Sequence, residues 1–257
     1  KNFFSGLLPY LLVVGVTDAL LALEPHMSGI ILITAVSVII LFAAGARVRH
    51  FIMLALPVGV LGWRYIMSDP YRVERVVAFL DPFKYPQGSG FQVVNSLYAI
   101  ASGSVFGGGL GKSLQKYLYL PEPHNDFIFS ILAEELGFVG ALTVIILFML
   151  FIWRGIRSAM NANDMMGSLI ATGITSLVAV ETIINVAVVT STVPATGMPL
   201  PFFSYGGTSL VFLLASVGIL LNISKGAAAA KGLRIQKDIS SGLDGKRNLS
   251  SRKAGEY

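Results

Sequence analysis

The sequence predicts an all-α integral membrane protein, a polytopic bundle of about six transmembrane helices with one long external loop. Two observations lead there. Of the 257 residues, 54% are hydrophobic and 13% charged, and mean hydropathy is +0.72, whereas soluble domains carry about 25% charged residues. The apolar residues also fall in six runs near the length of about 20 that crosses a bilayer. None has the short alternating pattern of a barrel strand.

The first run is Leu7 to Leu23, with Asp18 inside it. Gly29 to Gly45 and Phe51 to Met67 follow, both short enough to need flanking side chains that reach the interface. The fourth, Phe127 to Trp153, is long enough to tilt or protrude. Leu169 to Val189 is interrupted by Glu181 and Asn185, and Leu210 to Ile223 is the last. A lipid-facing carboxylate costs a few kcal/mol, so Glu181 is expected to face the bundle interior. Asn185, one turn later, is placed to share its hydrogen bonds.

Orientation follows from the short connections. Arg47 and Arg49 lie between the second and third runs, and Arg154 and Arg157 follow the fourth. Glu24–Ser28 and Thr190–Thr208 hold no Lys or Arg. Cationic loops stay in the cytoplasm, which places both termini inside and the stretch 68–125 outside. From Lys225 onward, eight basic residues face Asp238, Asp244 and Glu256, and this tail holds the whole net charge of +5. Such a tail beside a membrane is attracted to anionic lipid, and residues 226–257 cannot bury enough apolar surface to fold alone. Residues 1–225 form the membrane domain. The absence of Cys excludes disulfides, thiolate metal sites and cysteine nucleophiles. The sequence opens on Lys1 without a signal-peptide pattern, and a preceding part is expected.

Within the external loop, Phe91–Ala101 is apolar and helix-compatible but too short to span, so it reads as interfacial or re-entrant. Gly107-Gly108-Gly109-Leu110-Gly111-Lys112-Ser113 has the look of a phosphate-binding loop. The required glycine five positions before Gly111 is Phe106, no strand precedes it, and ATP is absent outside the cell. That reading is rejected.

Chemistry concentrates between Leu120 and Gly137. Pro123 suits the first position of a helix, with Glu122 before it and Asp126 in the first turn, where the helix dipole favours an ionised carboxylate. Glu134 and Glu135 lie two or three turns further in, where acids are costly and usually functional. For Glu122 a capping role is the equal alternative. The final loop, Val193–Gly207, carries Pro194, Pro199, Pro201 and a Ser204-Tyr205-Gly206-Gly207 turn, fitting either a cavity lining or a rigid helix–helix turn.

Asp81-Pro82, Gly88-Ser-Gly-Phe-Gln92, Gly109-Leu-Gly-Lys-Ser113, Gln115-Lys116, Leu120-Pro-Glu-Pro-His124, Asp126-Phe-Ile-Phe129, Glu134-Glu-Leu-Gly137, Pro199-Leu-Pro-Phe202 and Ser204-Tyr-Gly-Gly207 occur in this order. In them the chain resembles the SEDS family (shape, elongation, division, sporulation), membrane glycosyltransferases that polymerise lipid II into peptidoglycan strands. The match is to its FtsW/SpoVE-like division and sporulation branch. It covers residues 1 to about 225, with His26 where relatives carry an acid. The resemblance implies the last six helices of a ten-helix fold in the bacterial plasma membrane, with the active face external and the C-terminus cytoplasmic.

It also implies that Asp126 is the essential aspartate, with Glu122, Glu134 and Glu135 as supporting acids. Lys112, Lys116, Arg72 and Arg75 are candidate cations for a donor pyrophosphate. Gln115, His124 and Ser204 join them as substrate-binding candidates. Asp126 either takes the proton of the acceptor hydroxyl or holds a divalent cation, Mg2+ or Mn2+; both roles stay open. The implied partners are a class B penicillin-binding protein, a transpeptidase, and other division proteins. A flippase for the lipid-linked precursor is the main alternative, suited by Asp18, Glu181 and Asn185, and a non-catalytic scaffold is a third. Acids crowded at the external end favour chemistry there.

Overall fold

The structure is a computed structural model that describes residues 7–24, 27–84, 89–113 and 126–227. Among these residues every regular element is a helix. We label them α1 (Leu8–Leu23), α2 (Met27–Ala43), α3 (Val48–Met67), α4 (Pro70–Leu80), α5 (Ser89–Ser102), α6 (Ile128–Met160), α7 (Met165–Val189) and α8 (Gly207–Ala227). Four of them, α3, α6, α7 and α8, have 20, 33, 25 and 21 residues and are long and apolar enough to cross a membrane. With 16 and 17 residues, α1 and α2 are apolar but shorter. The six expected runs are thus all helical.

Local chemistry sets several starts. Asp164 caps α7, its carboxylate accepting from the Gly167 amide at 3.0 Å. Asp69 caps α4 through the Tyr71 amide at 3.0 Å, with Pro70 at the first position, where no amide is needed. The Asp-Pro pair is a helix-start signal, and it places a helix within the stretch 68–125 expected as a loop. α5 matches the expected short apolar helix at Phe91–Ala101.

α6 and α7 pack along each other as the centre of the bundle, with α2 along α7, α1 on α2 and α5 across α6. The main core joins Phe129, Ile131, Val144 and Phe148 of α6 to Val178, Val188 and Val189 of α7, with Leu200 from the last loop. A smaller cluster of Ala159, Ala171 and Leu220 ties in α8 at the far end. α3 stands apart. It meets α4 and α1, where the Tyr65 hydroxyl donates to the Ala22 carbonyl at 3.2 Å, and it exposes Met53, Leu56 and Leu61. Apolar side chains presented this way suit lipid.

The two ends of the bundle differ. At one, the turn after α2 with Arg47 and His50 lies beside Met165 and Leu169 at the start of α7. At the other, Ser28 at the start of α2 meets Thr196, beyond the end of α7. Arg47 and Asp126 therefore mark opposite ends.

α6 is not the single uninterrupted rod that its hydropathy predicts. Gly137 has φ +70° and ψ −170°, which breaks the helix into two pieces. A break orphans the carbonyls of residues 134 and 135 and the amides of 138 and 139. The glycine-rich loop takes all four: Gly108 and Gly109 donate to the Glu134 and Glu135 carbonyls, each at 3.0 Å. In return Phe138 and Val139 donate to the Ser104 and Val105 carbonyls at 3.0 and 3.1 Å. Satisfying these groups is mandatory at membrane depth. Gly107, at φ +79°, touches the Glu135 carbonyl so closely that any Cβ would overlap it. The glycines thus serve a backbone-to-backbone seam. Two of the amides a phosphate would need are already committed.

Candidate active site

Asp126 lies at the start of α6, but not in its first turn. The helix begins at Ile128 with Phe127 as its N-cap residue, and the Phe127 carbonyl accepts from the Ser130 and Ile131 amides. Asp126 precedes the cap, so the expected first-turn placement is corrected by one step outward. The reason is local: Phe127, at φ −113° and ψ 20°, has left the helical region, and its ring is buried in the core. The carboxylate is aimed across the bundle end at the last loop. A Cβ built on Gly197 would stand 3.2 Å from Asp126 Oδ2.

That loop is held from three helices. Arg75 Nη1 of α4 donates to the Ala195 carbonyl at 3.1 Å. The Ser28 hydroxyl of α2 donates to the Thr196 carbonyl. Asn185 Nδ2 of α7 donates to the Met198 carbonyl at 2.7 Å and to the Asp126 carbonyl at 2.9 Å. Asn185 thus joins the two loops and does not pair with Glu181, as the one-turn spacing had suggested. Further along, the Leu200 amide donates to the Ser204 hydroxyl at 2.7 Å, closing the turn. Beneath, Ser96 of α5 bonds Ser130 of α6 at 2.6 Å and the Val189 carbonyl of α7 at 2.9 Å. These buried hydroxyl bonds tie α5, α6 and α7 together beneath the site.

The candidate cations separate. Arg72 lies 3.6 Å over the Tyr65 ring, donates to the Tyr65 carbonyl at 2.8 Å and meets Asp69 at 3.6 Å. It braces the end of α3 against α4. Arg75 reaches the site, with Nη2 also donating to the Tyr71 hydroxyl at 2.6 Å. Lys112 is exposed, next to Ser113, whose buried hydroxyl donates to the Glu134 carboxylate at 2.5 Å. Glu134 is buried and so anchors the loop bearing Lys112, while Glu135 follows it beside the break. Gln115, Lys116, Glu122, Pro123, His124 and most of the tail lie outside the described residues.

Glu181 lines a cavity of about 230 Å³ between α7, α8 and the loop at Pro199–Ser204, as expected for an acid turned inward. Asp18 accepts from the Thr34 hydroxyl of α2 at 2.7 Å. Sequence analysis missed Ser28, Ser113 and Gly197. For Ser28 the available signal was a hydroxyl beside an apolar span, which packs inward as a rule. No local signal marks Gly197 among the many glycines.

The profile of the cell cycle protein family that groups FtsW, RodA and SpoVE matches residues 1–228. Stage V sporulation protein E of Bacillus subtilis (strain 168) is 45% identical over 225 residues, covering 87% of this chain and 61% of that protein. The probable peptidoglycan glycosyltransferase FtsW of Geobacter sp. (strain M18) is 44% identical over 232 residues, covering 89% and 63%. The chain thus spans less than two thirds of the length of these relatives. One solved structure, described as structural coordination of polymerization and crosslinking by a peptidoglycan synthase complex, matches with a TM-score of 0.70. Identity there is 26%, over 88% of this chain and 63% of that one. The Thermus thermophilus rod shape determining protein RodA matches at 0.56 and 25%, over 86% and 56%. This multi-pass membrane chain therefore belongs to the FtsW/RodA/SpoVE family of cell cycle proteins.

Proposed function

We propose that the protein is a peptidoglycan glycosyltransferase that polymerises lipid II into glycan strands during cell division or sporulation. The observation that carries this reading is the Asp126 carboxylate, set against Gly197 where α6 begins and the last loop crosses the bundle end. Joining sugars outside the cell cannot draw on ATP, so the donor arrives activated as a polyprenyl-pyrophosphate glycoside. The acceptor 4-hydroxyl attacks the donor anomeric carbon. A new C–O bond forms as the bond to pyrophosphate breaks, and the lipid pyrophosphate leaves with the electron pair. Asp126 takes the hydroxyl proton, help typically worth 10²–10⁴-fold. The relatives called probable peptidoglycan glycosyltransferases support the reaction class.

Mg2+ or Mn2+ fits only in company with substrate. Among the described residues no group of three or more His, Cys, Asp or Glu side chains gathers to hold an ion. Mg2+ commonly takes one or two carboxylates and completes its shell with substrate phosphates and water. In that alternative role, instead of acting as the base, Asp126 would be one ligand of such an ion, which would neutralise pyrophosphate charge. Lys112, exposed beside the Ser113–Glu134 anchor, and Arg75 are the described cations assigned to the pyrophosphate.

The active face is external and both termini are cytoplasmic, in the plasma membrane of a bacterium. The arginines at the end of the bundle opposite Asp126 support this orientation. A Ser89→Cys thiol then reacts with an impermeant reagent from outside, and a Ser251→Cys thiol does not. The partner is a class B penicillin-binding protein, with other division proteins, in line with the synthase complex that the fold resembles. The function is tested by incubating full-length protein with lipid II. Glycan strands on a gel are the expected product; transfer of lipid II across vesicles without strands would contradict it.

A further inference from the structure

We infer that Asn185 is a positioning residue for Asp126, the centre of a three-helix clamp that sets the 195–198 segment against the carboxylate. This rests on the reading of Asp126 as the catalytic carboxylate. The carbonyls of Ala195, Thr196 and Met198 are each taken by a side chain from a different helix, α4, α2 and α7. Gly197 lies between the held points, with φ +72°, and faces Asp126 Oδ2. The segment is fixed on both sides of the residue that meets the carboxylate.

Asn185 differs from the other two donors because it grips both sides of the contact. A carboxamide nitrogen carries two hydrogens; one goes to Met198 and the other to the Asp126 backbone carbonyl. A single atom therefore sets the separation of the two loops. It is fully buried on α7, among the core positions Val178, Val188 and Val189, so its own position is fixed by packing. No acid can replace it, since Asp accepts where two donors are needed. Leu has the same branched outline and number of side-chain heavy atoms, though a larger volume, and donates nothing. Gly197 completes the device, because a methyl there would press on Oδ2. Misplacing a reacting group by about 1 Å costs up to about 10²-fold in rate. The clamp therefore acts on turnover more than on substrate binding.

The test compares Asn185→Leu, Gly197→Ala, the double variant and Asp126→Asn in the full-length protein, with lipid II polymerisation as the readout. Melting curves first confirm that each variant is folded. Each of the two single changes is expected to lower kcat about 10-fold or more, with KM within about 2-fold. Both act on one carboxylate, so the double variant should be little worse than the worse single, unlike independent destabilisation. Wild-type kcat in Asn185→Leu, or losses that multiply in the double variant, would overturn the inference. If Asn185→Leu does not fold, Gly197→Ala decides alone, and a wild-type kcat there overturns it. An inactive Asp126→Asn beside fully active clamp variants would remove only the positioning role. A fully active Asp126→Asn would remove the catalytic reading beneath it.

Discussion

Two loops lie against the first turns of α6, and they are held by different parts of the polypeptide. The Ser104–Gly109 loop is sewn to the break at Gly137 by four backbone hydrogen bonds. The 195–198 segment beside Asp126 is held by the side chains of Arg75, Ser28 and Asn185. A backbone seam needs the absence of side chains, since the two strands of chain must touch. A side-chain clamp needs specific donors, placed by helices far apart in sequence. The first loop should therefore fail when a methyl is added, and the second when a donor is removed.

The largest effect expected is from Gly107→Ala. Its methyl would overlap the Glu135 carbonyl, and φ +79° is strained for alanine. Neither backbone can move without reopening the break, so a loss above about 4 kcal/mol is expected. The full-length protein should lose its cooperative melt in detergent. A melting temperature within a few degrees of wild type would mean that the seam is not as tight as described. Ser113→Ala comes next. It leaves the buried Glu134 carboxylate without its hydroxyl donor, at about 1–3 kcal/mol, read as a lower melting temperature with folding retained. No change would show that the side-chain bond adds nothing to the seam. Lys112→Ala should be smallest in stability, within about 0.5 kcal/mol, because the side chain is exposed. Its cost should fall on polymerisation, and unchanged activity would take Lys112 out of the substrate site.

The same contrast explains what could be read from the sequence. Six apolar runs, the short connections with and without arginine, and the inward Glu181 follow from hydropathy and the cost of charge in lipid. These appear in the fold as six apolar helices with Arg47 and Asp126 at opposite ends. The glycine run at 107–109 was visible, but its partner was not, because a broken helix looks continuous when every residue around Gly137 is apolar or helix-forming. α4 was legible from Asp69-Pro70 and from the alternation of its charged and apolar faces, but at eleven residues and with mixed composition it gives no hydropathy run. Arg72 and Arg75, three residues apart, looked alike. Only the fold separates a brace on Tyr65 from a reach to Ala195. Asn185 stood out as a polar residue in an apolar span, while its two carbonyl partners are 59 and 13 residues away. Long-range hydrogen bonds leave no local pattern.

The central claim, that Asp126 is the carboxylate on which glycan synthesis turns, is tested most directly by Asp126→Asn in full-length protein, with lipid II binding and polymerisation measured side by side. Asn keeps the shape and the backbone bond to Asn185 while removing the charge and turning one acceptor oxygen into a donor, so the protein should fold and bind lipid II within about 2-fold of wild type. Polymerisation should fall at least about 10²-fold. Near-normal strand synthesis by a properly inserted Asp126→Asn protein would contradict the account.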